Sequence, residues 1–321
     1  MDLAKMLDKC RREQWRIDDL DWAGRPRDMS RDDEIAIVQY FTDMAQIERL
    51  AGALFREQER KVDDDTLKKI FRTFVADEER HAQAAERLAR FYDVRRLRRY
   101  AINPNLAAFA PRFLDMIRWM PPDFANVYIT TGELILDVAL LRSINDYVHD
   151  SMSQRAMDLI NRDESRHIAI DYHMIEYYSS DEYDALLRSR PRAPLADRAR
   201  AAAALAAVLW PARPFIRDVF FRPMEVVDPS GKRMKEVFKR LQMLATKPTV
   251  RRRPFAKVML ALQDLHRRPA VRAVFGRALE RAMGVEGSVL MRLLTDEEEA
   301  RARDMSFDEL AQEALEAKKS N

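Results

Sequence analysis

The amino-acid sequence predicts an all-α protein, and three features of its 321 residues support this prediction. The chain contains seven glycines, far below the average share of about 7%, so tight turns must be few. Alanine, leucine, arginine, glutamate and methionine are abundant, and all of them favour helices. Apolar residues also recur at helical spacing in several long runs. The 47% share of hydrophobic residues is enough for a sizeable core.

Caps and turn signals define the order of the helices. Ser30, with Asp33 three residues later, resembles a capping box that opens a helix to about Lys61. Three aspartates at 63–65 mark a turn and the next helix start, and Asp123 is predicted to cap a later helix. The predicted helices cover residues 2–20, 31–61, 65–92, 105–119, 123–149, 154–178, 194–220, 230–245, 254–265, 270–283 and 306–318.

Four prolines interrupt the helical pattern between residues 93 and 122, so this segment is predicted to be a long crossover with one short helix. The expected organisation therefore has three parts. Residues 1–30 form an N-terminal arm that includes a helix. Residues 31–178 form a four-helix bundle, and residues 179–321 form a C-terminal helical extension packed on the bundle.

One sequence pattern, Asp-Glu-x-Arg-His, occurs twice, at residues 77–81 and 163–167. A glutamate and a histidine three residues apart on a helix lie on one face, where their side chains can converge. Glu48 and Glu133 lie within the apolar faces of two further helices. Glu-x-x-His on two helices, with one glutamate from each of two others, is a ligand set for two metal ions in a helix bundle.

The spacing of these residues predicts that they meet. In an antiparallel hairpin, residues equidistant from the turn lie side by side. Glu48 and Glu78 are each fifteen residues from position 63, and the midpoint of Glu133 and Glu164 falls next to the second predicted turn, near residue 150. The two hairpins are also copies of each other, because corresponding residues are separated by 85 or 86 positions. The sequence therefore predicts four carboxylates and two imidazoles at one height in the bundle.

Buried acids need partners or metal ions, because an unpaired charge in an apolar interior is costly. Oxygen-rich ligation with one imidazole per metal suits iron or manganese. Two iron ions are therefore expected, with manganese or a mixed manganese–iron pair as the alternative. A single Glu-x-x-His is common in charged helices, and a single glutamate on an apolar face is usually a boundary residue. The duplication and the matched spacing are what indicate a metal site.

These motifs resemble the ferritin-like di-iron carboxylate superfamily over roughly residues 31–178. The paired Asp-Glu-x-Arg-His motif is similar to that of acyl-carrier-protein desaturases. The Ile-Glu-Arg at 47–49 and the Arg-Asp-Glu-Ser at 162–165 are similar to the p-aminobenzoate N-oxygenase family. The resemblance implies a ferritin-like four-helix bundle with one long crossover.

The resemblance also implies a role for each site residue. Glu78 and Glu164 would bridge the two irons, and the remaining ligands would each bind one iron: Glu48, His81, Glu133 and His167. Asp77 and Asp163 would each hold the histidine of the opposite hairpin in the required tautomer, with solvent-facing helix acids as the alternative.

Six further residues are compared with the family pattern or with the predicted site. Asp137, one turn after Glu133, is a candidate for proton delivery, with a salt bridge at the rim as the alternative. Ile160 replaces an additional histidine ligand of the N-oxygenases, which counts against arylamine oxidation. Ala85 replaces the tyrosine of radical-generating reductase subunits, which counts against a stable tyrosyl radical. Surface or packing roles are expected for three further histidines: His149, His173 and His266.

The function implied is that of an O2-dependent di-iron oxygenase or oxidase that hydroxylates, N-oxygenates or desaturates a small organic substrate. Five residues are expected to line an apolar pocket: Phe41, Met44, Phe74, Ile129 and Ile160. The chain has neither a glycine-rich dinucleotide motif nor a cysteine cluster. Electrons are therefore expected from an external donor, such as a ferredoxin, a separate reductase or a small reductant.

Two alternative functions remain open at this stage. One is oxidation of an acyl chain on an acidic carrier protein, docked by basic residues at 95–99 and 251–253. These are Arg95, Arg96, Arg98, Arg99, Arg251, Arg252 and Arg253. The other is ferritin-type iron binding or ferroxidase activity without an organic substrate. Storage does not explain the long extension, which would enclose a substrate or form a dimer surface, and a homodimer is expected.

Composition excludes several other classes. The net charge of +3 is the difference between 56 basic and 53 acidic residues, so nucleic acid is not an expected partner. The single cysteine, Cys10, rules out internal disulfides and four-thiolate metal sites. The charged N-terminus lacks the apolar core of a signal peptide, and no run of about 20 uncharged apolar residues predicts a membrane span. A cytoplasmic location is therefore expected.

Overall fold

A computed structural model describes residues 1–191, 193–268 and 291–317. In these ranges the chain consists of helices and their connections and contains no β-strand, so the all-α prediction is confirmed. The helices are α1 Leu3–Arg12, a 3₁₀ turn Ile17–Asp19, α2 Arg31–Lys61, α3 Asp65–Tyr92, α4 Pro104–Trp119, α5 Pro122–Leu134, the π-helical segment Ile135–Leu141, α6 Arg142–Val148, α7 Ser151–Tyr178, α8 Asp181–Ser189, α9 Leu195–Phe215, the π-helical segment Ile216–Phe221, α10 Arg222–Val227, α11 Lys232–Thr246, α12 Pro248–Arg251, α13 Pro254–Arg267, α14 Asp296–Asp304 and α15 Phe307–Ala317.

The first hairpin joins α2 to α3 and begins and ends at the predicted caps. The Ser30 hydroxyl accepts a hydrogen bond from the backbone N–H of Asp33 at 3.1 Å. The Asp64 carboxylate accepts the backbone N–H groups of Thr66 and Leu67, both at 2.8 Å. These side chains satisfy the free N–H groups of each first turn, which is why the helices start there.

The second hairpin runs from α5 through the π-helical segment and α6, then returns along α7. His149 reverses the chain with a φ of +47°, and the Asp150 side chain accepts the N–H of Met152 to start α7. The predicted cap at Asp123 is wrong by two residues. The cap is Pro121, and Pro122 occupies the first helical position, where its missing N–H is no loss.

The two hairpins face each other to form a bundle. Helix α2 lies along α3, α5 lies along α7, and the contacts of α2 with α5 and of α3 with α7 complete the arrangement. Helix α4 lies within the crossover between the halves. Across the interface, Phe55 and Phe74 of the first hairpin pack against His167 of the second, with ring centroids 5.0 and 4.1 Å apart.

The residues after the bundle pack against it. Helix α9 lies on α4, α15 lies on α7, and α11 contacts the π-helical segment Ile135–Leu141. The boundaries proposed for the three parts of the chain remain predictions.

Several predicted helix boundaries outside the bundle differ from the structure. The first helix ends at Arg12 rather than at residue 20, and the helix predicted to end at residue 220 continues through α10 to Val227. Helices α8 and α14 were not predicted, because both are short and mostly polar. The helix predicted at 270–283 lies outside the described residues.

Among the described helices, the stretch Pro122–Val148 is long and apolar enough to cross a membrane by length and composition alone. However, 67% of its most apolar window is buried inside the protein. A core helix of a water-soluble protein passes the same test, so this feature is weak evidence for a membrane span.

Gly52 marks a close approach between α2 and α3, and this generates a stability prediction. A methyl group at Gly52 would lie 3.2 Å from Cβ of Glu78, whereas one at Gly132 would have no neighbour within 4 Å. Replacing a helical glycine by alanine favours folding by about 1 kcal/mol. We expect Gly132→Ala to approach this gain and Gly52→Ala to fall short of it, because α3 must shift. Urea unfolding of both variants tests this, and equal gains would contradict it.

Candidate metal centre

The six predicted ligands meet at the middle of the bundle. Helix α2 provides Glu48, α3 provides Glu78 and His81, α5 provides Glu133, and α7 provides Glu164 and His167. Each of the six is at most 2% exposed. Their donor atoms form two overlapping groups, each within 4.8 Å, and each group could hold a metal ion. The first contains Glu48, Glu78, His81 and Glu164, and the second contains Glu78, Glu133, Glu164 and His167.

Glu78 and Glu164 belong to both groups, so they lie between the two candidate metal positions. Nδ1 of His81 is 3.0 Å from Glu164 and 3.7 Å from Glu78. Nδ1 of His167 is 2.9 Å from Glu164 and 3.2 Å from Glu78. Each histidine thus faces both shared carboxylates, while Glu48 and Glu133 each belong to one group.

Although they lie close together, most of the donor atoms at this centre make no hydrogen bond of acceptable geometry within the described part of the chain. This applies to both carboxylate oxygens of Glu48 and of Glu78, and to Nδ1 of both histidines. A buried polar atom without a partner is costly and needs an explanation, such as an ion. The residues therefore fit a pair of metal ions, because the unpartnered atoms are the ones that would be ligands.

Each histidine is held from behind by an aspartate of the other hairpin. Nε2 of His81 is 3.1 Å from Asp163, and Nε2 of His167 is 3.4 Å from Asp77. Both aspartates are fully buried, so they are not solvent-facing helix acids. When Nε2 donates its proton to the aspartate, Nδ1 keeps its lone pair for the carboxylate cluster, as in many metal sites.

The arginine of each motif copy and the N-terminal arm hold these aspartates. Arg166 is buried and donates to Asp163 at 2.6 Å, and Arg80 pairs with Asp77. From the arm, Trp15 Nε1 donates to Asp163 at 2.7 Å. Gln14 donates to Asp77 at 3.1 Å. Sequence reasoning assigned no role to these residues, although the repeated arginine was a usable signal.

The electrostatics of the cluster reflect its burial. Burial, followed by the charge of Glu78, raises the pKa of Glu48 well above the usual range. Burial and Glu164 do the same for the pKa of Glu133. Burial opposes charge on Glu164 as well, but the nearby histidines outweigh it and hold its pKa well below the usual range. In the cluster without metal, burial therefore favours the protonated, neutral forms of Glu48 and Glu133.

Asp171 was missed by sequence reasoning. It lies one turn after His167 on α7, is fully buried, and burial raises its pKa well above the usual range. Neither carboxylate oxygen has a hydrogen-bond partner among residues that the structure describes. Asp137 is also fully buried, in the π-helical segment, and its role in proton delivery stays a prediction. Neither aspartate belongs to the two metal-binding groups.

The remaining histidines lie outside both groups. His149 is exposed in the turn before α7. His173 is partly buried on α7, and burial lowers its pKa. The side chain of His266 lies outside what the structure describes.

An apolar cavity of about 270 Å³, here called the inner cavity, reaches Glu133. Of the five predicted pocket residues, Ile129 lines it. The other four are buried elsewhere in the core: Phe41, Met44, Phe74 and Ile160. Both π-helical segments contribute to its wall. Such segments frequently occur at functional sites because the wider turn redirects side chains.

The basic residues proposed to dock a carrier protein are partly neutralised. Arg95 lies 3.6 Å from Glu34. Arg252 and Arg253 pair with Asp181 and Asp184 at 2.9 and 2.6 Å.

Comparison of the chain with protein-family models, with curated proteins and with solved structures gave no match. Function is therefore inferred from the geometry and chemistry of this site.

Replacing Asp163 by asparagine tests the support of His81. The change removes the charge that Arg166, Trp15 and His81 share, so His81 is held less firmly. We expect Asp163→Asn to weaken Mn²⁺ binding by about 10- to 100-fold. Asp158→Asn, on the exposed face of the same helix, should leave it unchanged. Titration against a competing chelator measures both, and equal affinity of the two variants would contradict the assigned role.

The raised pKa values predict how stability depends on pH. The folded, metal-free protein binds more protons than the unfolded chain above about pH 4.5 at Glu48 and Glu133. The folded protein also binds more protons than the unfolded chain above about pH 6.5 at His81 and His167. Burial lowers the pKa values of these histidines, but the nearby carboxylates raise them by more. Rising pH therefore destabilises the metal-free fold.

We expect the melting temperature of the metal-free protein to fall from about pH 5.5 to pH 8. Bound Mn²⁺ should offset this fall, because the metal replaces the protons. Glu48→Gln, which cannot ionise, should show a shallower fall. A metal-free melting temperature that rises across this window would overturn the assignment.

Proposed function

We propose that this chain is a ferritin-like, non-haem di-iron oxidoreductase that uses dioxygen to oxidise a small organic molecule. One observation carries the proposal: six buried side chains from four helices direct unpartnered donor atoms at one another beside an apolar cavity. The ferritin-like assignment is supported by two matched hairpins joined by one long crossover.

Iron is the proposed metal because the donor set is rich in oxygen, with one imidazole for each position and no thiolate. Manganese has the same ligand preferences and remains the alternative. A bound pair of ferrous ions would supply the electrons and open coordination positions that dioxygen activation requires. The protein holds the two imidazoles through Asp77 and Asp163, and the apolar wall beside Glu133 would offer water few hydrogen-bond partners.

An organic substrate is favoured over iron storage because the inner cavity reaches a candidate ligand and needs the extension for its wall. Phe215, Phe221 and Phe238, all after residue 178, line the cavity together with Glu133. A storage bundle has no use for this enclosure. Electrons for repeated turnover would come from a separate reductase or ferredoxin, since the described residues contain one cysteine, Cys10, which is buried.

Oxidation of a carrier-bound acyl chain is a weaker candidate. The ion pairs of Arg95, Arg252 and Arg253 with neighbouring acids reduce the positive charge that a carrier protein would meet. Salt-sensitive binding of a carrier protein would favour this candidate.

Iron content and reaction with oxygen test the proposal. The wild-type protein should bind about two irons per chain, and a large excess would indicate storage instead. Glu164→Ala removes a carboxylate common to both metal groups, so we expect it to lose both irons and all oxygen consumption. Glu79→Ala, exposed on α3 next to Glu78, is the matched control and should retain both. A Glu164→Ala variant that is fully loaded and active would refute the proposal.

A further inference from the structure

A second apolar cavity, here called the outer cavity, adjoins the inner one. It has a volume of about 360 Å³ and lies between α4, α5 and α7 of the bundle and α9, α12 and α13 of the extension. Phe124, Val127 and Phe255 line both cavities. These three side chains therefore form a wall that the two spaces share.

The two cavities differ in where their charges lie. In the inner cavity Glu133 is the single charged residue among the described lining residues, and the rest of the wall is almost entirely aromatic or aliphatic. In the outer cavity the charged lining residues are Asp123 and Arg253. A ligand that occupied both spaces would have one end beside Asp123 and Arg253 in the outer cavity. The rest of it would contact the apolar wall of the inner cavity as far as Glu133.

The outer cavity opens to solvent. Its lining includes Leu205 and Phe124, which are 42% and 39% exposed although both are large and apolar. Exposed apolar residues at the mouth of an apolar cavity are typical of a ligand entrance. The inner cavity reaches Glu133 of the candidate metal centre, so a path from this mouth to that residue would pass Val127.

We propose that the two cavities form one channel that binds an uncharged amphiphile tail-first, with its apolar end at Glu133 and its polar head at Arg253. Oxidation of that end rests on the function proposed above, whereas the binding itself does not. Long-chain alcohols, esters and amides are the class of ligand that this channel fits. The walls contributed by α9, α11 and α13 give the extension its role in this binding.

The charges at the mouth favour an uncharged head. Arg253 is already paired with Asp184 at 2.6 Å and donates to the Ser180 carbonyl at 3.2 Å. Its Nε is buried and has no hydrogen-bond partner in the described ranges, so it can donate to a hydroxyl or carbonyl oxygen. Asp123 lies on the same wall and would repel a carboxylate. A charged group at the inner end would instead have to be buried in an apolar wall, at high cost.

Val127 is the residue that determines how long a ligand the channel accepts. It is on α5, six positions before Glu133, and it is neither a candidate ligand nor in contact with the aspartates that hold the histidines. A larger side chain at this position would close the passage between the cavities and leave the outer one open.

The experiment measures binding of straight-chain alcohols, from hexanol to dodecanol, to the metal-free protein. Displacement of the neutral fluorescent probe 1-aminoanthracene reports their affinity. In the wild type we expect affinity to rise about fourfold for each added methylene. In Val127→Phe the rise should stop once the outer cavity is filled, so that dodecanol binds at least about tenfold more weakly than to the wild type. Hexanol should bind both equally.

Two further variants keep the result interpretable. Val94→Phe makes the same substitution at a residue that is 64% exposed and lines neither cavity, and it should behave as the wild type does. If circular dichroism shows that Val127→Phe is unfolded, Phe124→Trp narrows the same passage at a half-exposed position.

The channel proposal would be refuted if affinity depended on alcohol length in Val127→Phe or Phe124→Trp as it does in the wild type. It would also be refuted if affinity did not depend on alcohol length in the wild type. Iron analysis is done separately on the same proteins. Length-dependent binding without iron loading would refute the oxidoreductase and leave the channel standing. Iron loading without length-dependent binding would refute the channel and leave the proposed oxidoreductase standing.

Discussion

Burial of charge at the centre of the bundle is the constraint on which the rest of the structure depends. Four carboxylates and two imidazoles lie within a few ångströms of one another, out of contact with water. Burial favours the neutral forms of Glu48 and Glu133, and the histidines beside Glu164 favour its charged form, so the cluster is less costly without metal than four charged carboxylates would be. Two divalent cations would satisfy the same atoms far better, since they neutralise charge and occupy every open lone pair.

The surroundings of the centre are organised by the same constraint. Asp77 and Asp163 are buried charges themselves, and each is matched by a buried or nearly buried arginine. The aspartates in turn orient the histidines across the hairpin interface. The pairing is reciprocal, so each hairpin fixes a ligand of the other. Such a network couples the packing of the two halves to the geometry of the site.

Features of the structure could be predicted from the sequence where they depend on neighbouring residues or on the symmetry of the two hairpins. Ser30 and Asp64 cap their helices because their side chains reach N–H groups two or three residues away, which depends on the sequence alone. The six candidate ligands meet because residues at equal distances from the turn of a hairpin lie side by side. These two kinds of information were enough to locate all six residues of the two metal-binding groups.

The parts that sequence did not yield depend on contacts between distant segments. Trp15 donates to Asp163, 148 positions away, and no local pattern marks it. In the π-helical segment Ile135–Leu141 each backbone hydrogen bond spans one residue more than in an α-helix, a difference that apolar periodicity over seven residues cannot resolve. The pocket walls were mostly wrong for the same reason. Part of the wall of the inner cavity comes from the extension, whose packing on α4 and α5 is a tertiary property.

The hydrogen bonds from Gln14 and Trp15 have a practical consequence for anyone who wishes to simplify this protein. The four long helices look self-sufficient, and trimming the chain to them is an obvious engineering step. Yet the trimmed bundle would expose the aspartates behind its histidines on one side and lose the far wall of its cavity on the other. The smallest unit that preserves the chemistry is therefore larger than the smallest unit that preserves the helices.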